Sequence, residues 1–166
     1  MKVIAALDAG PVYKRESIPI FDTDNIITLT HKLAELGAQT LLQTLKEIQQ
    51  HSLSAVEQDS KYVSYASKIK KDMAPINWHQ PAQKIFNQVR ALADWPVAQT
   101  TINDLICKIW ETEVLKESSH TVPGTITHLG KQGWAVATTT TDLLIKEVQL
   151  PNKNRMRAFD IANGLR

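Results

Sequence analysis

The 166-residue chain is poor in cysteine, glycine and aromatic side chains, and it lacks long apolar runs. Its single cysteine, Cys107, cannot form an internal disulfide, which indicates a reducing compartment such as the cytoplasm. The apolar run after Lys2 ends at Asp8, so it is shorter than the roughly 7–15 residues of a signal-peptide core. No stretch approaches the roughly 20 apolar residues of a membrane span. The sequence therefore predicts a cytoplasmic protein that does not enter a membrane.

The sequence also lacks a pattern of metal-ligating residues and a large net charge. The five histidines show no spacing typical of metal ligands, so we expect no bound metal. The net charge of +2 is too small to indicate a nucleic-acid partner by itself, and the position of the charges matters more than their sum. Basic residues cluster at Lys68, Lys70 and Lys71, and again at 153–157. These clusters fit either solvated faces or contacts to phosphates.

Helical periodicity is visible in three segments. Thr23 or Asp24 can cap a first helix that ends at Gly37, and a second helix follows it directly. Pro81 is well placed to open a third helix, which Pro96 ends. The apolar stripes of the first two helices are Ile26, Leu29, Leu33 and Leu36, then Leu41, Leu45 and Ile48.

Residues 100–150 have a different character, because threonine, valine, isoleucine and tryptophan alternate there with frequent turn signals. Short strands with frequent turns favour a small barrel or sandwich. The four tryptophans could stack on bases, although burial in a core is the commoner role for each. The predicted strands are Leu105–Leu115, Thr125–Leu129, Trp134–Thr138 and Leu143–Leu150, with an earlier strand at 12–20 and a short closing helix marked by Met156, Phe159 and Ala162 or Asn163 before Gly164.

Several short strings, in order along the chain, resemble the methionyl-tRNA formyltransferase family. Each string is weak alone, but their order and spacing over residues 7–150 make the combination specific. They cover about the last half of a typical family member. The strings are Leu7-Asp8-Ala9-Gly10-Pro11-Val12, residues 31–38, Tyr65-Ala66-Ser67-Lys68-Ile69, Ile76-Asn77-Trp78, Val89-Arg90-Ala91-Leu92 with Trp95-Pro96, Lys108-Ile109-Trp110, Pro123-Gly124-Thr125-Ile126 and Val136-Ala137-Thr138.

The resemblance implies an α+β chain with three parts. Residues 1–60 would be the helical remnant of a Rossmann-like formyltransferase domain, and residues 61–78 a basic linker. Residues 79–166 would form a small OB-like β-barrel domain that binds tRNA. Family members transfer a formyl group from 10-formyltetrahydrofolate to the amino group of methionyl initiator tRNA. We expect this chain to supply mainly tRNA binding and to bind no folate itself.

The resemblance also implies site residues. Asp8 matches the catalytic aspartate, which orients a histidine and assists proton removal from the attacking amine. The asparagine and histidine that work with it lie upstream of the matched region in the family. We therefore expect this chain alone to be inactive, and a separately encoded N-terminal half is a candidate partner. The expected tRNA contacts are Lys68, Lys70, Lys71, Arg90, Lys131, Lys153 and Arg155.

The sequence departs from the family pattern at Ala9, Asp94, Thr139–Thr141 and Asn152. Two other hypotheses therefore stay open. One is a remnant of a sugar-nucleotide N-formyltransferase, a branch that shares the Asp-x-Gly segment and a similar barrel. The other is a non-catalytic interaction domain. The linker lysines and the Trp95-Pro96 element favour the tRNA branch.

Overall fold

The computed structural model describes residues 1–161. Internal contacts divide the chain into two units, Met1–Lys68 and a second unit that begins at Ile69. The predicted ends of the closing helix at Ala162 or Asn163 and its stop at Gly164 lie outside the described residues. Among residues 1–161, no helix combines the length and apolar character that crossing a bilayer requires.

The first unit is built on one long helix, α1, at Ile26–Gln49. The prediction of two helices that meet at Gly37 is wrong, because Gly37 lies inside α1. A glycine costs an exposed helix only about 1 kcal/mol relative to alanine, so it lowers helix stability without ending the helix. Asn25 is the N-cap, rather than Thr23 or Asp24. Its side chain accepts from the backbone N–H of Ile27 and Thr28 at 2.9 and 3.0 Å, and the Thr28 hydroxyl accepts from the Asn25 N–H.

The segment before α1 is largely irregular, and the predicted strand at residues 12–20 is wrong. Among the described residues, the β-type pairing of this segment is one antiparallel bridge, in which Val12 and Val56 exchange backbone hydrogen bonds of 2.8 and 2.9 Å. A short 3₁₀ turn follows at Ser60–Tyr62, where Asp59 accepts from the Lys61 N–H. The mixed polarity of residues 12–20 gave no alternation with which to distinguish a strand from an extended loop.

The second unit joins a helix to an antiparallel sheet. A 3₁₀ turn at Lys71–Met73 precedes helix α2, and a four-residue helix, α3, closes the described chain. The six strands form one sheet in the order β1-β2-β5-β4-β3, and β6 pairs with β5. The bounds are α2 Ala82–Ala91, β1 Gln99–Ile102, β2 Leu105–Val114, β3 Ile126–Gly130, β4 Gly133–Val136, β5 Leu143–Gln149, β6 Met156–Arg157 and α3 Ala158–Ile161.

The sheet curls into a half-barrel whose edge strands are β1 and β3. Register shifts interrupt the β2–β5 pairing near Glu111 and the β3–β4 pairing between Ile126 and His128. Such bulges bend strands and increase their twist. The four predicted strands are confirmed to within two residues at each end. The sequence analysis missed β1 and β6, which are only four and two residues long.

The core of the second unit lies between α2 and the concave face of the sheet. Ala82, Ile85 and Val89 repeat at helical spacing and are each at most 2% exposed. They pack with buried strand residues that include Cys107, Ile109, Trp134, Leu143, Ile145 and Val148. Pro81 is the N-cap of α2, one position before the first helical position at which proline is most favoured, and the helix ends at Ala91, before Pro96.

Candidate nucleic-acid interface

The lysines predicted at the linker are exposed on irregular backbone. Lys70 precedes the 3₁₀ turn and Lys71 begins it. Lys68 is the last residue of the first unit, so the structure assigns it to a different unit from the other two. Among the described residues, no ion pair or hydrogen bond engages any of these three ammonium groups. Their positive charge therefore faces solvent, where phosphate oxygens could replace water.

A second basic group lies on the hairpin that joins β5 to β6. Lys153 is exposed, and the described residues give its ammonium group no partner. Its carbonyl oxygen accepts a hydrogen bond of 2.9 Å from Gln149 Nε2. Arg157, two residues after Arg155, forms two hydrogen bonds of 3.0 Å with Asp160, which balances its charge. Lys153 is thus the cation of this hairpin with the freest side chain.

Arg155 is held by its neighbours. It donates to the Glu147 carboxylate, and its guanidinium lies 5.1 Å from the centre of the Trp110 ring. Trp110 in turn donates from Nε1 to Gln149 Oε1 at 3.2 Å. Arg155 is therefore a preorganised, partly neutralised cation held over an aromatic ring. A guanidinium in this position can offer its flat face to a base or its remaining N–H groups to a phosphate.

Lys131 lies in the tight turn between β3 and β4. Gly130 and Gly133 pair across the end of this hairpin, so Lys131 and Gln132 form its two-residue connection. Gly133 has φ +139°, a backbone conformation that residues other than glycine rarely adopt. Lys131 also lines a cavity of about 490 Å³ that contains His128, Thr127 and Asp142. The hairpin thus places one exposed lysine beside a pocket that contains a buried carboxylate.

The carboxylate of that pocket is part of the fold. Asp142 is 6% exposed, and it accepts hydrogen bonds from the Ser119 N–H and hydroxyl at 3.1 and 3.0 Å and from the Thr127 hydroxyl at 2.7 Å. Burial raises the pKa of Asp142, but these hydrogen bonds and the nearby His120 outweigh it, so the pKa lies below its ordinary value. Asp142 therefore stays ionised and anchors the loop between β2 and β3.

Arg90 lies near the end of α2 and is half-buried. Its Nε donates to Asn87 Oδ1 at 2.9 Å, and its guanidinium lies 5.3 Å from the centre of the Phe86 ring. A cation in the last turn also interacts favourably with the helix dipole. These contacts give Arg90 a structural role at the end of α2.

Asp8 lies on a tightly held loop of the first unit. Gln58 Nε2 donates to the carbonyl oxygens of Asp8 and Gly10 at 2.9 and 2.8 Å. Asp8 has φ 53°, and a Cβ on Gly10 would lie 1.8 Å from the carbonyl oxygen of Lys2. The Asp8 side chain is exposed, and no hydrogen bond of its carboxylate occurs within residues 1–161. Sequence reasoning missed Gln58, because a side chain 50 residues away that fastens a loop leaves no local pattern.

The tryptophans differ from the expectation that each is buried. Trp134 is 1% exposed, whereas Trp95 is 51% exposed and Trp78 and Trp110 are half-buried. The sequence analysis therefore undervalued Trp110 as part of a surface. A signal was available, because alternation along β2 places Trp110 on the opposite face from the buried Ile109.

Residues 68–166 match the family model of the formyl transferase C-terminal domain. The chain belongs to this family. The match to this domain leaves residues 1–67 as a preceding segment. Over 165 residues the chain is 37% identical to a methionyl-tRNA formyltransferase of Staphylococcus aureus strain MW2. It is 36% identical to that of strain Newman. These alignments include 99% of this chain and 53% of each relative, so the chain spans about half the length of the curated relatives that it matches. The resemblance found in the sequence is thereby confirmed.

Two solved structures share the fold of this chain. An N-formyltransferase from Helicobacter canadensis, in complex with folinic acid and dTDP-3-aminofucose, superposes with a TM-score of 0.68 over 86% of this chain and 52% of its own, at 16% identity. HypX from Aquifex aeolicus, in complex with tetrahydrofolic acid, gives 0.67 over 98% of this chain and 29% of its own, at 14% identity. At such identities the likeness shows the fold alone.

Proposed function

We propose that this chain is the tRNA-binding portion of a methionyl-tRNA formyltransferase that acts in the cytoplasm. The observation that carries the proposal is its 37% identity, over nearly its whole length, to an enzyme of that name. In this proposal residues 61–78 are a basic linker, and the half-barrel of the second unit serves as an OB-like domain. Residues 1–60 are the remnant of the Rossmann-like catalytic domain.

The exposed cations supply the binding energy in this proposal. Lys68, Lys70, Lys71, Lys131 and Lys153 have no intramolecular partner for their ammonium groups among the described residues. Binding phosphate therefore breaks no ion pair within the chain. Arg155 and Arg90 are already stacked and hydrogen-bonded, so they contribute preorganised positions rather than free charge. Recognition through phosphates orients the tRNA, and sequence-specific readout is not required of these residues.

A salt titration tests tRNA binding. Each phosphate contact lowers the slope of log K against log salt by about 0.9, because condensed counterions are released. Lys153→Ala removes one such contact, so it should make the slope about 0.9 less negative and weaken binding at low salt. Lys46→Ala removes the same charge from the last turn of α1, outside the proposed contacts, and should leave the slope unchanged. Equal effects of both variants, or no binding of initiator tRNA at low salt, would contradict the proposal.

The catalytic part of the proposal centres on Asp8. Its exposed carboxylate, on a loop fixed by Gln58, assists proton removal from the methionyl amino group as that amine attacks the formyl carbon. The 10-formyltetrahydrofolate co-substrate and the catalytic asparagine and histidine belong to the part of the enzyme that this chain does not match. The chain alone should therefore neither bind folate tightly nor transfer formyl groups. Turnover by the purified chain would refute this point.

The polypeptide that carries the folate-binding part is the proposed partner of α1. One face of this helix packs within the first unit, where Thr44 is buried. A second face carries Ile27, Leu41 and Leu45, which are 45%, 58% and 54% exposed. A helix that is apolar on more than one face is normally covered on more than one face. The chain spans only 53% of the matched relatives, and the remainder is large enough to cover this surface.

Association measured by sedimentation tests that docking surface. Leu41→Glu places a charge on the uncovered face and should weaken association with a separately produced folate-binding portion at least about tenfold, since one buried leucine contributes about 1.5–3 kcal/mol. Gln39→Glu introduces the same side chain on the polar side of α1 and should leave association unchanged. Equal affinities for both variants would contradict this docking mode.

A sugar-nucleotide N-formyltransferase is the second candidate. The observation that favours it is the fold shared with the Helicobacter canadensis enzyme, whose structure contains dTDP-3-aminofucose. The two candidates separate in one binding experiment that offers initiator tRNA and a dTDP-amino sugar to the same protein. Binding of the sugar nucleotide without tRNA would favour this candidate. Binding of neither ligand would favour a non-catalytic interaction domain.

A further inference from the structure

A cleft opens at the seam of the half-barrel, between the edge strands β1 and β3. Its volume is about 330 Å³, at the small end of the roughly 300–1,000 Å³ of ligand pockets. Thr100 and Thr101 of β1 form one side and Ile126 of β3 the other, while Ile145 lies among the residues that line its interior. All of these residues belong to the second unit.

Trp78 bridges β1 and the turn that precedes β3. Its Nε1 donates to the Thr100 hydroxyl oxygen at 3.0 Å. Its ring packs over Gly124, where an added Cβ would lie 3.4 Å from the nearest ring atom. Trp78 is half-buried, so part of its ring remains accessible. The cleft thus has a fixed aromatic wall with an accessible surface.

Trp134 lines the same cleft and carries an unsatisfied donor. The residue is 1% exposed, and its indole N–H has no hydrogen-bond acceptor within residues 1–161. A buried tryptophan N–H usually finds an acceptor, because an unmade hydrogen bond in the interior is costly. The nitrogen atom is itself enclosed, so an acceptor on a ligand in the cleft reaches it only after a small movement of the neighbouring side chains.

Hydrogen-bonding groups also lie along the β1 edge. Gln99 exchanges backbone hydrogen bonds with residues outside the sheet, since its N–H donates to Ala74 and its carbonyl accepts from Ile76, both at 2.8 Å. Backbone groups that face the same edge of a strand recur at every second residue, so Thr101 is the next to turn its N–H and C=O toward the seam. Aspartate, glutamate, lysine, arginine and histidine are absent from the described lining.

The cleft therefore suits a small, flat, neutral ring with hydrogen-bonding edges. The Trp78 indole provides an accessible aromatic surface, and the β1 edge provides hydrogen-bonding groups. The uncharged lining excludes a phosphate from the interior but leaves a phosphate free to remain outside. We propose that this seam cleft binds a single unstacked nucleobase, held against Trp78. The assignment of this nucleobase to a bound tRNA rests on the proposed function, but binding of a base in the cleft is tested separately.

Indole N–H signals in NMR provide the test, because the chain contains four tryptophans of which two line the cleft. Adenosine, a nucleoside without phosphate, should shift the signals of Trp78 and Trp134 and leave those of Trp95 and Trp110 in place. Ile126→Phe fills the cleft and should weaken adenosine binding by about 5-fold to 150-fold, the range expected for loss of one base–aromatic stack. Leu129→Phe, on the same strand but outside the cleft, should not weaken it.

Three results would overturn the cleft assignment: no shift with adenosine, equal shifts of all four indoles, or equal weakening by both variants. Shifts with 5-formyltetrahydrofolate but not with adenosine would also overturn it, by assigning the cleft to a pterin ring. The salt titration of tRNA is independent of these outcomes. Binding of tRNA with an unresponsive cleft would refute this inference alone, whereas adenosine binding without tRNA binding would refute the proposed function.

Discussion

Replacing Gly133 by alanine tests how the hairpin that carries Lys131 is built. Gly133 begins β4, is buried, and has φ +139°. A Cβ at this position would lie 2.0 Å from the carbonyl oxygen of Ile145. That oxygen belongs to β5, whose Ile145 pairs with Trp134 across the β4–β5 ladder. Because the contact is with backbone, a side-chain rotation cannot relieve it.

The expected loss of stability follows from two terms. The backbone conformation costs a non-glycine residue about 1–3 kcal/mol. Separating the strands enough to admit the methyl group weakens at least one ladder hydrogen bond, which contributes about 1 kcal/mol. The sum is about 2–4 kcal/mol. For a domain of this size, each kcal/mol lowers the melting temperature by about 4–8 °C, so Gly133→Ala should lower it by roughly 8–30 °C.

Thermal unfolding followed by circular dichroism and calorimetry measures this loss, and Gly37→Ala is the matched control. No atom lies within 4 Å of a Cβ built on Gly37, which is inside α1. That substitution should stabilise the first unit by about 0.5–1 kcal/mol, since alanine favours the helix. The two variants should thus move their transitions in opposite directions. A Gly133→Ala protein that melts at the parent temperature would refute the account of this hairpin.

Three further predictions follow from buried or paired groups. The hydrogen bond from Lys32 is the main cause of the lowered pKa of Asp24. The Asp24 carboxylate therefore stabilises the fold at pH values above its ordinary pKa of 3.8, and this contribution is lost as the pH falls through the lowered folded value. In chemical denaturation from pH 7 to pH 2, Asp24→Asn should lose less of its free energy of unfolding than the parent protein. Arg155→Lys keeps the charge but loses the guanidinium contact with the Trp110 ring, and it should lower stability by about 0.5–1 kcal/mol in denaturant titrations. No change would show that this contact does not stabilise the fold. Burial raises the pKa of the Cys107 thiol to about 11, so an aromatic disulfide reagent at pH 8 should label it only on unfolding, and rapid labelling of the native protein would contradict its placement.

The strands and α2 could be predicted because their signals are local. Apolar and β-branched residues between turn signals predicted β2 and β5, and the spacing of Ile85 and Val89 follows from the period of the helix. Gly37 misled because glycine marks a helix end only when the next residues also leave the helix, which residues 38–49 do not. The short strands β1 and β6 depend on partners in β2 and β5, so their own four and two residues carry too little pattern.

The exposure of the candidate lysines could be predicted from the sequence, whereas the contacts of the arginines could not. Lys70, Lys71, Lys131 and Lys153 are exposed, as solvated or phosphate-binding lysines should be. The sequence could not reveal that Arg155 stacks on Trp110, because residues 45 positions apart meet only through the β2–β5 register. Nor could it reveal the seam cleft, which depends on where the sheet stops pairing. The family resemblance supplied what local patterns lacked, because an ordered set of motifs reflects a whole fold.

The most direct test of the central claim is formyl transfer by a reconstituted enzyme. This chain, mixed with a separately produced folate-binding portion of a methionyl-tRNA formyltransferase, should formylate methionyl initiator tRNA in the presence of 10-formyltetrahydrofolate. Asp8→Asn should abolish turnover without weakening tRNA binding, and Lys153→Ala should raise KM for tRNA. Formylation should disappear when either polypeptide is omitted. A mixture in which the two folded polypeptides associate and bind tRNA but transfer no formyl group would contradict the account.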